Sequence, residues 1–291
     1  MGPSKLDRNT ATNQTHLDSS LVEIQEFAEK APPRESHPKG EIEVIFHCFL
    51  TDDLPSYVLQ DHQKCAKHQG ISVEYRFFPA TDDYDKIYKA HGDFLNEKLE
   101  KAAIDETVCF IDIDALPWDG AMLNQIFRWT DQNKTFTGNA QNISHTRLRN
   151  EIYAAASLLM INKSAYKALG SPDLAWGVSE QGDQIDTAQN LTRQANLLGH
   201  KYRLLYPLGF DDADKCYDLA GYGLYGTGTT YPGTWHYFRI SALKDKSSPP
   251  ALWSRRVNDI LRDQPMTPLM GSPYFLSNQN KSWAKIKKFF F

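Results

Sequence analysis

The sequence predicts an α/β fold: one domain built on a mainly parallel sheet flanked by helices. Three observations carry that expectation. Short apolar, β-rich runs alternate with longer stretches whose apolar residues recur at helical spacing, the trace that β-α-β units leave in a sequence. The first run, EIEVIFHCFL from residue 41, is apolar at nearly every position, as a strand covered on both faces must be. The 291 residues are 41% hydrophobic and 12% aromatic, enough apolar mass for a core of that size.

Taken in order, residues 1–40 are polar and rich in Ser, Thr, Asn and Pro, and are expected to form a flexible arm. The domain is expected over 41–240. After its first strand, residues 54–69 carry helix-spaced Tyr57, Leu59 and Cys65, and ISVEYRFF follows as a second strand. A helical stretch from Tyr84 leads into the strand TVCFIDID, then a helix GAMLNQIFRW, a strand KTFTGNA, a strand IYAAASLLMI and a helix NKSAYKAL. GDQIDTAQNLTRQANLLG reads as a helix stopped by Gly199, and KYRLLYPL as another strand. The segment LAGYGLYGTGTTY, 219–231, is rich in Gly, Tyr and Thr and reads as irregular or flexible, a lid that His236 would tether. Residues 241–291 form a C-terminal extension. If KSWAKIKKFF is helical, Trp283, Ile286 and Phe290 share one face and Lys281, Lys285 and Lys288 the other, a pattern suited either to docking on the domain or to peripheral contact with an anionic membrane.

The charge balance excludes some functions. Thirty-two Lys and Arg against 36 Asp and Glu leave −4, no global field for a nucleic-acid backbone, so no nucleic-acid partner is expected. No apolar stretch is long enough to span a bilayer, and no signal-peptide pattern opens the chain. Four scattered cysteines read as reduced thiols, and the expectation is a cytoplasmic protein, with any membrane contact peripheral and on the inner face. Six N-x-S/T triplets, at Asn13, Asn133, Asn142, Asn162, Asn190 and Asn280, would matter only in a secretory lumen.

The sharpest chemical feature is VCFIDID, an apolar strand that ends in two carboxylates one residue apart. Ligands of open α/β sheets bind beyond the carboxyl ends of strands, and two carboxylates this close repel unless a cation lies between them or one keeps its proton. Asp112 and Asp114 are therefore candidate metal ligands, the alternative being strand-end aspartates that cap the DALPWDG turn. Asp212-Ala213-Asp214 has the same spacing but no strand before it. His236, in TWHYF, is a candidate third ligand or else a packed core histidine. Asp183 and Asp186, in SEQGDQIDTAQ, stand three apart at an expected helix start and hence on one face, as site carboxylates or as helix caps.

FIDIDALPW resembles the D-x-D strand of the GT-A fold of nucleotide-sugar-dependent glycosyltransferases, and the order of D-x-D, Asp-Gln and late His-Tyr-Phe most resembles the glycogenin and lipopolysaccharide-galactosyltransferase group. The likeness covers about residues 42–240. It departs from the group at Ala154–Ser157, where AAAS replaces an Asn-x-Gly element, and after His236, where no Lys-Pro-Trp follows. The resemblance implies a Rossmann-like GT-A sheet and a Mn²⁺ or Mg²⁺ ion held by Asp112, Asp114 and His236. It implies a UDP-sugar donor and a glycan or glycolipid acceptor, with hexose transfer by retention. Asp183 and Gln184 would be the catalytic and sugar-contacting pair, with Asp183 a general base should the enzyme invert. Phe49, Thr51 and Asp52 would meet the nucleoside, Lys89 or Lys86 the diphosphate, Asp112 the donor through the ion, and Asn139 the acceptor side. The alternatives are a haloacid-dehalogenase-like phosphohydrolase, which lacks its usual residue after the second Asp here, and a non-catalytic sugar-nucleotide or glycan-binding module of the same fold.

Overall fold

The computed structural model describes residues 44–142, 151–179, 182, 184–212, 216–219, 224–238, 240, 247–268 and 270–271. All lie within one compact unit, Glu43–Phe291. KSWAKIKKFF and residues 1–43 lie outside the described residues, as does Asp183.

In chain order the elements are β1 (Ile45–Thr51), α1 (Ser56–His68), β2 (Ser72–Phe78), α2 (Tyr84–Lys101), β3 (Thr107–Ile111), β4 (Ala115–Pro117), α3 (Gly120–Gln132) and β5 (Phe136–Asn142). Then come β6 (Ile152–Asn162), α4 (Lys163–Ala168), β7 (Gly177–Val178), β8 (Gln184–Ile185), α5 (Gln189–Leu198) and β9 (Arg203–Leu205). The last are β10 (Gly209–Phe210), β11 (Cys216–Asp218), β12 (Leu224–Thr230), β13 (Thr234–Tyr237), α6 (Ala251–Leu261) and β14 (Met270–Gly271).

The main sheet runs β2-β1-β3-β6-β5-β9. β1 pairs in parallel with β2 and β3, and β5 with β9, while β6 runs against both β3 and β5. Five strands thus point one way around a single reversed one, and the mixed α/β class with a mainly parallel sheet stands. β3 is buried along its whole length and β6 from Tyr153 onward, which is why TVCFI and IYAAASLLMI read as apolar runs rather than alternations. Asp83 and Asp119 cap α2 and α3, accepting from Lys86 N and Met122 N at 3.3 and 2.9 Å.

A second sheet, β14-β10-β12-β13-β4 with β11 beside β12, begins where the chain leaves β3. Here the Gly-rich segment departs from expectation. Residues 224–230 are not irregular: they form β12, paired with β10, β11 and β13, and buried from Tyr225 onward. The glycines mark a bulge between Thr227 and Thr229, where Gly228 takes φ +77° and a Cβ would stand 2.8 Å from Asp211 Cβ. The described part of that segment is therefore sheet and not a lid.

The expected long helix over 182–199 is also shorter. It begins at Gln189, behind a β7–β8 pair and a turn in which Ala188 has φ +66° and donates its N–H to Leu174 O at 2.9 Å. Gln189 Oε1 accepts from Asp186 N at 2.9 Å, a side-chain return bond that stops the helix from growing backward. Gly199 closes it at φ +65°, as the sequence indicates. Within the C-terminal extension, α6 lays buried Trp253, Val257 and Ile260 on the core.

Candidate metal centre

β3 ends at Ile111, but its hydrogen bonding to β6 continues one residue further, with Asp112 N donating to Ser157 O at 3.3 Å. The chain then turns within Asp112–Ala115, closed by Ala115 N to Asp112 O at 3.0 Å, and enters β4 in the other sheet. Asp112 and Asp114 thus sit at the crossover between sheets. β4 pairs with β13 so that Ala115 faces His236, and Asp114 O accepts from Tyr237 N at 2.8 Å. That register brings His236 Nε2 to 3.1 Å from Asp114 Oδ1.

One ligand atom from each of Asp112, Asp114 and His236 lies within 4.8 Å of the others. Burial first, then the Asp114 and Asp186 charges, push the Asp112 carboxyl up to about 7, while His236 pulls it down. Burial works against an imidazolium at His236, but the Asp114 and Asp112 carboxylates outweigh it and hold that ring above its ordinary value. Two carboxylate oxygens and one imidazole nitrogen, converging where negative charge is destabilised, are a donor set that fits Mn²⁺ or Mg²⁺.

Behind His236 lies a buried polar stripe. Gln141 Nε2 is 3.5 Å from His236 Nδ1 and donates to Ser157 Oγ at 3.0 Å. Asn139 donates to Ser157 Oγ and Thr234 Oγ1 at 3.2 and 3.3 Å. Its Oδ1 has no partner among the described residues. Asn139 is fully buried, beneath the centre rather than on an open acceptor face.

The other candidates are distributed around this core. Carrying the β1–β3 register from His47–Phe110 two residues further sets Phe49 level with Asp112. Phe49 is buried against Phe78, His91 and Phe94. Thr51 ends β1, and Asp52 Oδ1 accepts from Ala80 N at 2.7 Å, which holds the β2–α2 loop. Lys89 and Lys86 are on the exposed side of α2 and already paired with Asp93 and Asp83, at 2.9 and 3.3 Å. Gln184 opens β8 opposite Val178. Asp186 lies outside α5, which starts three residues after it, and its Oδ2 accepts from Tyr153 Oη at 2.6 Å.

One residue escaped the sequence reading. His91 Nε2 is 3.5 Å from Asp112 Oδ1, and its ring stacks on Phe49 with centroids 5.1 Å apart and planes 12° apart. Burial pushes its imidazole down to about 4, against the pull of Asp186 and Asp114, so the ring is neutral at pH 7. The available signal was its spacing from Phe94 and Leu95, which puts a polar residue on the buried face of the helix leading into the D-x-D strand.

The site and sheet define a mixed α/β domain with a dicarboxylate–imidazole centre beyond the end of a central strand. No family model matches the chain, and no curated protein matches it. Among solved structures, the chain is similar to LgtC galactosyltransferase in complex with donor and acceptor sugar analogues, at TM-score 0.43 and 13% identity over 78% of this chain and 98% of that one. It is similar to a Drosophila β-1,4-galactosyltransferase 7 in complex with manganese, UDP-Gal and xylobiose, at TM-score 0.38 and 12% identity over 74% and 79%. It is also similar to a glycosyltransferase involved in glycosylation of the PBCV-1 major capsid, at TM-score 0.36 and 11% identity over 56% and 81%. These scores and identities are low, so the functional reading rests on the chain's own residues.

Proposed function

We propose that this chain is a metal-dependent glycosyltransferase of the GT-A type, moving a hexose from a UDP-sugar to a hydroxyl of a glycan or glycolipid. The observation that carries the reading is the convergence of Asp112, Asp114 and His236, within 4.8 Å, at the exit of a buried central strand. A divalent cation bound there would neutralise charge on the departing diphosphate. The chain's own groups prepare that place. The β4–β13 pairing fixes Asp114 and His236 relative to one another, and β6 fixes Asp112 through its backbone. His91, stacked on Phe49, walls the α2 side. Asp186, just beyond the β7–β8 pair, is near enough for its charge to act on Asp112 and His91, and Tyr153 Oη donates to its carboxylate. Gln184 is assigned to contact the donor sugar, and Asp183 the acceptor hydroxyl or that sugar. Retention follows the group the sequence resembles, and NMR of the product's anomeric proton checks it: an inverted centre would make Asp183 a general base.

The deciding experiment is calorimetric titration of UDP with and without Mn²⁺. Asp114→Asn keeps the side chain's size and removes its charge, and is expected to weaken Mn²⁺-dependent UDP binding by at least about tenfold. Cation-dependent affinity equal to wild type would remove the D-x-D strand from the site.

A further inference from the structure

Two sides of the centre carry aromatic side chains that the proposed donor chemistry does not use. On α2, Tyr84 and Tyr88 stand seven and three residues before His91, on the same stripe of the helix. They are 63% and 37% exposed. Across from them, Trp176 brings its ring centroid to 6.5 Å from that of Tyr88, with the planes tilted by 31°. Two residues on, Val178 is 63% exposed and pairs with Gln184. The aromatic group therefore lies between the helix that carries His91 and the strand pair that carries Gln184.

Its placement is built into the backbone. A Cβ on Gly92 would lie 2.1 Å from Ala175 Cα, so α2 meets the 174–176 segment with nothing between the chains. One turn later Asn96 clamps the same segment, accepting from Leu174 N at 3.1 Å and donating to Asp173 Oδ1 at 2.7 Å. Trp176 follows directly on this clamped stretch.

Two exposed tyrosines grouped with the half-buried Trp176 on one surface mark an interaction site, and the surrounding charge selects the occupant. Asp82, Asp83 and Asp85, at the start of α2, and Asp173, three residues before Trp176, are exposed. The lysines among them, Lys86 and Lys89, are neutralised by Asp83 and Asp93. An acidic rim repels phosphate and anionic lipid, and accepts hydrogen bonds from hydroxyls. A pyranose ring matches both parts, since its C–H faces pack on aromatic rings while its rim of hydroxyls reaches carboxylates.

We propose that Tyr88, Trp176 and Tyr84 form a platform that binds the neutral glycan end of the acceptor beside the metal centre. The assignment rests on the glycosyltransferase reading and adds to it the acceptor's class, a neutral sugar rather than an anionic lipid headgroup. The test is saturation-transfer NMR on the full chain with Mn²⁺, offering lactose, cellobiose, maltose and methyl α-mannoside in turn. At least one should receive saturation from aromatic protons, with its affinity falling about tenfold in Trp176→Leu and in Tyr88→Leu but not in Leu197→Ala, an exposed apolar position on α5. Tyr84→Ala, at the exposed start of α2, provides a further variant should either of the first two fail to fold. Absence of binding by all four sugars overturns the platform, as does binding that every variant retains. Trp176-dependent binding to vesicles containing 30% phosphatidylglycerol would overturn it in favour of a membrane surface. UDP titration of the same wild-type sample separates the two readings: UDP that binds with Mn²⁺ while the sugars fail removes the platform alone, whereas UDP that does not bind removes the donor site itself.

Discussion

His91 is half-buried and stacked on Phe49, and its Nε2 lies 3.5 Å from the same Asp112 carboxylate that the sequence marks as a metal ligand. At 3.5 Å that nitrogen is close enough to tighten onto one Asp112 oxygen when the other binds a cation, so His91 is expected to serve as a positioning residue. His91→Phe keeps an aromatic ring against Phe49 and deletes only the donor. It is expected to leave the melting temperature close to wild type while weakening Mn²⁺ binding, read by electron paramagnetic resonance, by about tenfold. A variant whose Mn²⁺ affinity matched wild type would reduce His91 to packing. His62 offers a separate check on buried histidines. It is fully buried, bonded through Nδ1 to Tyr75 Oη at 2.8 Å. Burial pushes it from 6.5 down to about 4. A depressed histidine binds fewer protons folded than unfolded, so its contribution is present above pH 6.5 and is lost as pH falls toward 4. Asp112, pushed up to about 7, runs the opposite way. Comparing wild type with His62→Asn isolates the His62 term: between pH 8 and pH 5 wild type should lose about 2 kcal/mol more than the variant in denaturant titrations. Equal pH slopes would mean that His62 is not held neutral.

At the scale of elements, β12 shows how one composition serves two ends. Gly, Thr and Tyr in alternation can mean a loose loop, yet Thr and Tyr also favour strands, and glycine is what a bulge and a close backbone approach require. The distinction is measurable. Hydrogen exchange over residues 225–230 is expected to be slow without any ligand, because these positions are buried between strands. Gly228→Ala forces a side chain onto a left-handed backbone and against Asp211, and should lower stability by about 2 kcal/mol. Fast exchange in the unliganded protein, or a neutral Gly228→Ala, would restore the flexible reading. α5 teaches a related point: its residues have helical spacing from Asp186 onward, but the β7–β8 pair and the Ala188-to-Leu174 bond claim the first turn for tertiary contacts.

Over the whole molecule, the two sheets are joined at the D-x-D turn and again through α6. Arg256, buried on α6, donates to both oxygens of Asp211, through Nη2 at 2.5 Å and Nε at 2.8 Å. Asp211 Oδ2 also accepts from Trp235 Nε1 at 2.9 Å, one residue before His236. α6 is thereby tied to the strand that carries a proposed metal ligand. Arg256→Met would remove the buried guanidinium that donates to both Asp211 oxygens and should cost about 3–5 kcal/mol, seen as a lower melting temperature. If that variant were as stable as wild type, the ion pair would not be what docks α6. No helix among the described residues is long and apolar enough to cross a membrane.

Sequence alone determined those features that depend on neighbours along the chain. Buried strands such as TVCFI are legible because both faces must be apolar, and the helices from Tyr84 and Gly120 are legible from their apolar spacing, with Asp83 and Asp119 capping them in the structure. The carboxylate pair was legible because adjacent charges at a strand end demand an explanation that solvent exposure alone does not supply. Tertiary structure decided what depends on register between distant segments. Only the β4–β13 pairing brings His236, 122 residues further on, to Asp114, and only the packing of α2 aims His91 instead of Lys89 at the centre. Whether a glycine bends a loop or admits a neighbouring chain is likewise settled by what lies beside it, Asp211 at Gly228 and Ala175 at Gly92, and those neighbours are remote in sequence. Local physics is written in the sequence residue by residue, whereas the meeting of remote residues is a property of the packed chain.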